Sequence, residues 1–102
     1  MTHPPIQLGS LVRAKRDTGI CSAGERGVCY ERYRLDKRPG YSFIFERGGY
    51  DGFSPDEVEL MLEVSGDVCP QLADYQFTNV LRLQKDFYEG RFADAFDIAP
   101  AE

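Results

Sequence analysis

Hydrophobic and polar residues alternate most clearly in the middle of this chain. In Tyr41–Phe45, Phe43 and Phe45 fall on one face of an extended segment and Ile44 on the other, and Gly48-Gly49 lets the chain reverse into a second short strand, Tyr50–Phe53. Further on, Val58, Leu60, Leu62 and Val64 alternate with Glu57, Glu59 and Glu63, and only Met61 is out of step. Just before them, Ser54, Pro55 and Glu57 are the cap, first-turn proline and reaching carboxylate of a helix start. The pattern predicts one helical turn followed by a strand from 58 to 64. A continuous helix from Pro55 through Val64 is the competing reading.

Residues 7–16 mix Leu8, Leu11, Val12 and Ala14 with Arg13, Lys15 and Arg16, which predicts a first strand with Val12 and Ala14 inward. Residues 17–27 carry three glycines in eleven positions and form a long loop pinned by Ile20. In the next strand, 28–35, strict alternation puts Val28 and Tyr30 on one face with Arg32 and Arg34, and Cys29, Tyr33 and Leu35 on the other with Glu31. Turns are expected at 36–40 and 65–67. Pro70 leaves 68–73 unassigned, and Tyr75 and Phe77 suggest a last short strand. Asn79 caps a helix running to Tyr88 with Val80, Leu83 and Phe87 on its apolar side, Gly90 ends it, and Phe92, Ala95 and Phe96 form a further amphipathic turn. Residues 1–6 read as a loose arm and 98–102 as a frayed tail.

Taken in order, a long first loop, a turn, a glycine hairpin, one helical turn and a closing strand resemble the SH3-like small barrel architecture over residues 7–64. The fold expected is mainly β: a barrel of about five strands within 7–78, and a C-terminal helical segment, 79–97, plugging one open end with Leu83, Phe87 and Phe92. The resemblance implies a partner groove between the long loop and the next hairpin turn, lined by Tyr41, Tyr50 and Phe53 with Ile20 and Arg26 alongside. The chain has no tryptophan. It therefore departs from the peptide-binding version of that fold, which favours a folded protein partner or a second copy of the chain over a proline-rich ligand.

Composition narrows the picture in three ways. With 102 residues, 42% of them hydrophobic, the chain supports one domain with one core. No stretch approaches the roughly 20 apolar residues of a membrane span, and the first residues lack the basic and apolar regions of a secretory signal, so a cytoplasmic location is expected. Charge is unevenly spread: residues 1–38 hold eight Lys or Arg against four Asp or Glu, and residues 39–102 hold four against thirteen. A basic side and a strongly acidic one suit an oriented encounter and oppose indiscriminate binding to a long polyanion.

Candidate chemistry is sparse. Cys21, Cys29 and Cys69 are an odd number at wide spacing, which fits free thiols in a reducing compartment; with His3 they lack the paired short spacing of a structural zinc site. Cys21 sits near Arg26 but has no base beside it in the sequence. Glu46, Asp51 and Asp56 flank the hairpin, where turn bonding and ion pairing account for them. Gly19, Gly24 and Gly27 lack the Lys-Ser/Thr end of a phosphate loop. No catalytic residue, metal or cofactor is expected. The function expected is that of a protein-interaction, regulatory or accessory subunit. The alternative is a small-barrel nucleic-acid-binding regulator using Arg13, Lys15, Arg32, Arg34, Lys37 and Arg38, with Arg16, Tyr30 and Tyr33 interleaved. On the bland reading Tyr41 and Phe53 finish the core, and Met61 and Leu81, outside their neighbours' apolar rows, are the exposed contacts.

Overall fold

In the computed structural model, which describes residues 5–36 and 38–96, the expected strands assemble into one antiparallel sheet. It comprises β1 (Ser10–Ala14), β2 (Arg26–Leu35), β3 (Arg38–Phe45), β4 (Tyr50–Phe53) and β5 (Leu62–Val68), in the order β4-β3-β2-β1-β5. The helix α1 (Pro55–Met61) links β4 to β5, and α2 (Val80–Tyr88) follows a short 3₁₀ turn at Pro70–Leu72. Strands β4 and β5 are the two edges, and the ladder does not close into the expected barrel. The four residues of β4 end where α1 begins, and α1 packs against β3, β4 and β5, so a helix lies between the edges.

The alternation at Phe43-Ile44-Phe45 becomes burial on both faces, since none of the three is more than 1% exposed. Phe43 and Phe45 point into a first core with Val12, Ala14, Cys29 and Phe53, closed by Val58 of α1 and by Leu62 and Val64 of β5. The rings of Phe43 and Phe53 meet edge to face with centroids 5.7 Å apart, a geometry that adds to simple area burial. Ile44 points the other way into a second core with Val28 and Tyr30, covered by Cys69, Leu72, Tyr75, Leu83, Phe92 and Ala95. The C-terminal segment therefore lies over a face of the sheet instead of plugging an end.

The local helix signals hold. Ser54 accepts from the Glu57 backbone N–H, and the Glu57 carboxylate accepts from the Ser54 N–H, which completes the capping box that starts α1. The helix runs further than one turn, however. It buries Val58, leaves Leu60 53% exposed, and leans Met61 on the first core. Leu62 and Val64 then resume the alternation as strand. Met61 is thus a core contact and Leu60 the outlier, because the helical period governs up to Met61 and the strand period after it.

Other expectations are corrected by pairing. Residues 65–67 do not turn the chain: β5 continues to Val68, and β5 advances four residues between its pairings with Val12 and Ser10 while β1 advances two. Gly66, at φ 92°, absorbs this irregularity. Arg38–Gly40 belong to β3 and not to the expected turn, where Asp36 takes the left-handed region at φ 48°. Tyr75 and Phe77 form no strand; they pack across the second face, where Phe77 meets Tyr30 at 5.0 Å. Ile6, assigned to a loose arm, is buried in the first core. Along α2, Asn79 caps as expected and Leu83 is fully buried, but Val80 is 42% exposed.

Two leucines of α2 separate packing from propensity. Replacing Leu83 with alanine should cost about 2–5 kcal/mol in denaturant unfolding, whereas Leu81→Ala, on the outer side, should change stability by less than about 0.5 kcal/mol. Equal losses at the two positions would show that α2 is not docked as described.

Candidate functional site

The positions of the candidate residues follow from one irregularity in β2. Cys29 pairs with Phe43, but Glu31 pairs with Ser42, so Tyr30 is an inserted residue. Val28 and Tyr30 stay on the second face, where Tyr30 is buried. Beyond the bulge Arg32 pairs with Tyr41, which shares the face of Phe43, so Arg32 and Arg34 sit on the face opposite to the one strict alternation gives. Tyr33 moves to the other side, and its ring lies over Gly40 of β3 and Gly52 of β4. A Cβ at Gly40 or Gly52 would come within 2.2 or 2.5 Å of it. The outer half of the β2–β3 hairpin is thus an arm with arginines on one face and a tyrosine packed on glycine backbone on the other.

On the arginine face a cleft of about 430 Å³ is lined by Leu8, Arg32, Tyr33, Arg34, Pro39, Gly40 and Tyr41. Tyr41 is half-buried, resting on the first core. This cleft joins one residue of the expected protein groove to two of the expected nucleic-acid face.

The rest of the expected groove is divided. Phe53 pairs with Tyr41 but is only 5% exposed, a core residue. Ile20 leans on the same core, and its carbonyl oxygen lies 2.2 Å from where a Cβ on Gly49 would be, which holds the 17–25 loop against the β3–β4 turn. Tyr50 pairs with Ile44 on the second face. Arg26 is on that second face too: its Nη1 donates to the Phe96 carbonyl and its Nη2 to Glu46 Oε2 at 2.7 Å. Tyr50 and Phe53 are three residues apart in a strand, and that odd separation already put them on opposite faces.

The expected basic stripe is divided as well. Arg13 Nη1 donates to the Gly24 carbonyl at 2.9 Å, and Lys15 Nζ donates to the Glu59 carbonyl near the C-terminal end of α1 at 2.8 Å. Arg38 lines a separate cleft with Tyr33, Asp36, Ser54 and Glu57. Lys37 lies outside the described residues.

Groups that could carry chemistry have structural occupations. Cys21 is 6% exposed and bonded to Thr18 Oγ1; burial chiefly pushes its thiol pKa up, with Glu25 and Asp17 adding to the rise against the Thr18 bond. Burial pushes Cys29 up to about 12. The Cys69 thiol donates to Gln71 Oε1. Neither Cys21 nor Cys29 has the depressed pKa of a nucleophilic thiol. Glu25 is buried and accepts from the backbone N–H of Ser22 and of Arg47, both at 2.9 Å, tying the long loop to the β3–β4 turn. Asp51 accepts from the Gly52 N–H as turn aspartates do. Among the described residues no three His, Cys, Asp or Glu are grouped to hold a metal ion; His3 lies outside them.

One surface was only partly legible in the sequence. On α2, Leu81 is 75% and Tyr88 80% exposed, and with Val80 and Gln84 they occupy one arc of the helix. Their exposed side adjoins the buried side of Leu83 and the half-buried Phe87, whose ring meets Tyr88 at 5.6 Å. Leu81 and Tyr88 both flank the apolar row in the sequence, and of the two only Leu81 was expected as an exposed contact. Comparison of the chain with known protein families, with curated proteins and with solved structures gives no match.

The Arg26–Glu46 pair makes a pH prediction. The Arg26 hydrogen bond, chiefly, holds the Glu46 carboxyl below the usual carboxylate range. A group depressed in the folded state adds stability that is present above its unfolded pKa and is lost as pH falls through the folded one. The stability difference between wild type and Glu46→Gln, favouring wild type at pH 7 by under about 1 kcal/mol for so exposed a pair, should therefore shrink as pH falls below the usual carboxylate range. A difference unchanged across that range would place the effect of Glu46 elsewhere.

Proposed function

We propose that this chain is a non-catalytic protein-interaction module, an accessory or regulatory subunit of the cytoplasm, whose main contact surface is the outer arc of α2. The observation that carries the reading is the exposure of Val80, Leu81 and Tyr88 on one side of a nine-residue helix. Fully covering a large apolar side chain is worth about 1.5–3 kcal/mol, so three on one arc make a compact anchor for a groove on a folded protein. The arc is bordered by Lys85 and Glu89, and the helix carries both signs in Arg82, Lys85 and Asp86, without the basic excess that draws a helix to an anionic lipid surface. No described helix is long and apolar enough to cross a membrane. Three free, buried cysteines are compatible with a reducing compartment.

In outline the sheet is read as an SH3-like barrel left open. The order β4-β3-β2-β1-β5, with a short helix between β4 and β5 and with β5 on β1, supports that reading. The nucleic-acid alternative retains Arg32 and Arg34 but loses its stacking platform, since Tyr30 is buried and Tyr33 is laid on Gly40 and Gly52.

The test is affinity capture from native lysate with and without nuclease, using wild type and Leu81→Asp. Leu81 is an exposed helix position, so the variant should keep its melting temperature within a few degrees. A protein that is captured by wild type, resists nuclease and is lost with Leu81→Asp is the expected result. Capture that is equal for the two proteins, or that disappears with nuclease, would defeat the reading. Light scattering on the same samples identifies a second copy of the chain as the occupant if mass doubles in wild type alone.

A further inference from the structure

Two charges of α2 stand at the ends that suit them least. Arg82 lies in the first turn and Glu89 is the C-cap, while the helix dipole favours anions at the start and cations at the finish. Two ion pairs follow the axis, Arg82 with Asp86 at 3.2 Å and Lys85 with Glu89 at 3.9 Å. Both run cation first, the weaker order for an i,i+4 pair, and the side chains of Arg82, Lys85 and Glu89 are all exposed. A lone helix gains little from this pattern. A helix laid end for end against its own copy gains more.

We propose that the outer arc of α2 pairs with the same arc of a second copy of this chain, antiparallel about a twofold axis, in a reversible dimer; this rests on the reading of the arc as the contact surface and names its occupant. In such a pair residue i meets j and j meets i, so each match is made twice. Leu81 and Tyr88 are seven residues apart, and so are Arg82 and Glu89, one position further along. A twofold axis at Lys85 brings Leu81 within one residue, about 1.5 Å along the helix, of Tyr88 of the second copy. It brings Arg82 equally near to Glu89 of the second copy. The apolar and the charged contacts thus ask for the same register. A parallel pair would set Arg82 on Arg82 and Glu89 on Glu89.

Two features keep the pair weak. Lys85 stands at the axis beside its own counterpart, and a helix of nine residues is only about 13 Å long. Such a stripe falls short of the roughly 1,200 Å² of a standing interface, so monomer and dimer exchange with concentration. A different protein with an apolar groove would cover Leu81 and Tyr88 as well. It would not account for the order of charges along α2, which a second copy complements without further requirement.

The experiment is sedimentation velocity on the full chain from about 10 µM to about 1 mM in about 0.15 M salt, which screens the net charge of −5 on each copy. Wild type should pass from monomer to dimer with a midpoint of about 100 µM. Arg82→Glu and Glu89→Arg should each weaken association roughly tenfold, because each sets like charges together twice, and an equal mixture of the two should associate as wild type does. Glu89→Arg alters an exposed C-cap and should leave circular dichroism unchanged; it decides alone if Arg82→Glu, which loses its bond to Asp86, also loses helix. A wild type that is monomeric at every concentration would overturn the proposal. So would a Glu89→Arg that dimerises like wild type, or a mixture of folded variants that stays monomeric. If wild type is monomeric while lysate capture still depends on Leu81, the occupant is wrong and the arc reading stands; if both are lost, the arc reading falls as well.

Discussion

The burial of the inner half of β3, Ser42–Phe45, on both of its faces is the constraint from which the rest of the architecture follows. A strand with Phe43 and Phe45 on one side and Ile44 on the other has no face to offer water, so a chain of 102 residues must supply two covers. One comes from α1 and β5, the other from residues 69–96. The covers differ in kind. The first side is closed by Val58, Leu62 and Val64, the last two on a strand hydrogen-bonded to β1. The second is closed by Leu72, Tyr75, Leu83 and Phe92, which sit on turns and one short helix held by side-chain packing and a few tethers.

Those tethers explain where the polar residues went. Tyr75 donates to Asp86, Asp86 also meets Arg82, and Arg91 lies over the Tyr75 ring at 5.1 Å, so one network holds α2 to the segments on either side. Arg26 binds the Phe96 carbonyl and Glu46 together, joining the end of the second cover to β2 and the β3–β4 turn. Glu25 does similar work between the long loop and that turn. Polar side chains in this molecule mainly hold covers in place, and the outer arc of α2, where large apolar side chains are exposed, is the surface read as a contact site.

What could be seen in the sequence was what depends on neighbours along the chain. Ser54, Pro55 and Glu57 define a cap among themselves, Asn79 does so with Arg82, and the alternation at Phe43–Phe45 is independent of the partner strand. What could not be seen depends on pairing. The bulge at Tyr30 inverts the face assignments of Glu31 to Arg34, and nothing in the local sequence marks Tyr30 as the extra residue. Likewise the Ser65-Gly66-Asp67 triplet has turn composition but lies beside β1, whose backbone keeps the strand going: Ser65 Oγ donates to the Leu11 carbonyl there. The separation of Tyr50 from Phe53 was within reach of simple parity. The exposure of Val80 was not, because it depends on how α2 rolls to bury Leu83.

If both covers are integral to one cooperative unit, losing either should release β3. Native-state amide hydrogen exchange measures this directly, because it reports the free energy of opening at each backbone group. The amides of Phe43 to Phe45 and the central amides of α2 should exchange with the same opening free energy and shift together in denaturant. Exchange of the α2 amides at a much lower free energy, with β3 still protected, would mean that the second face does not need its cover and that the two-sided account of this fold is wrong.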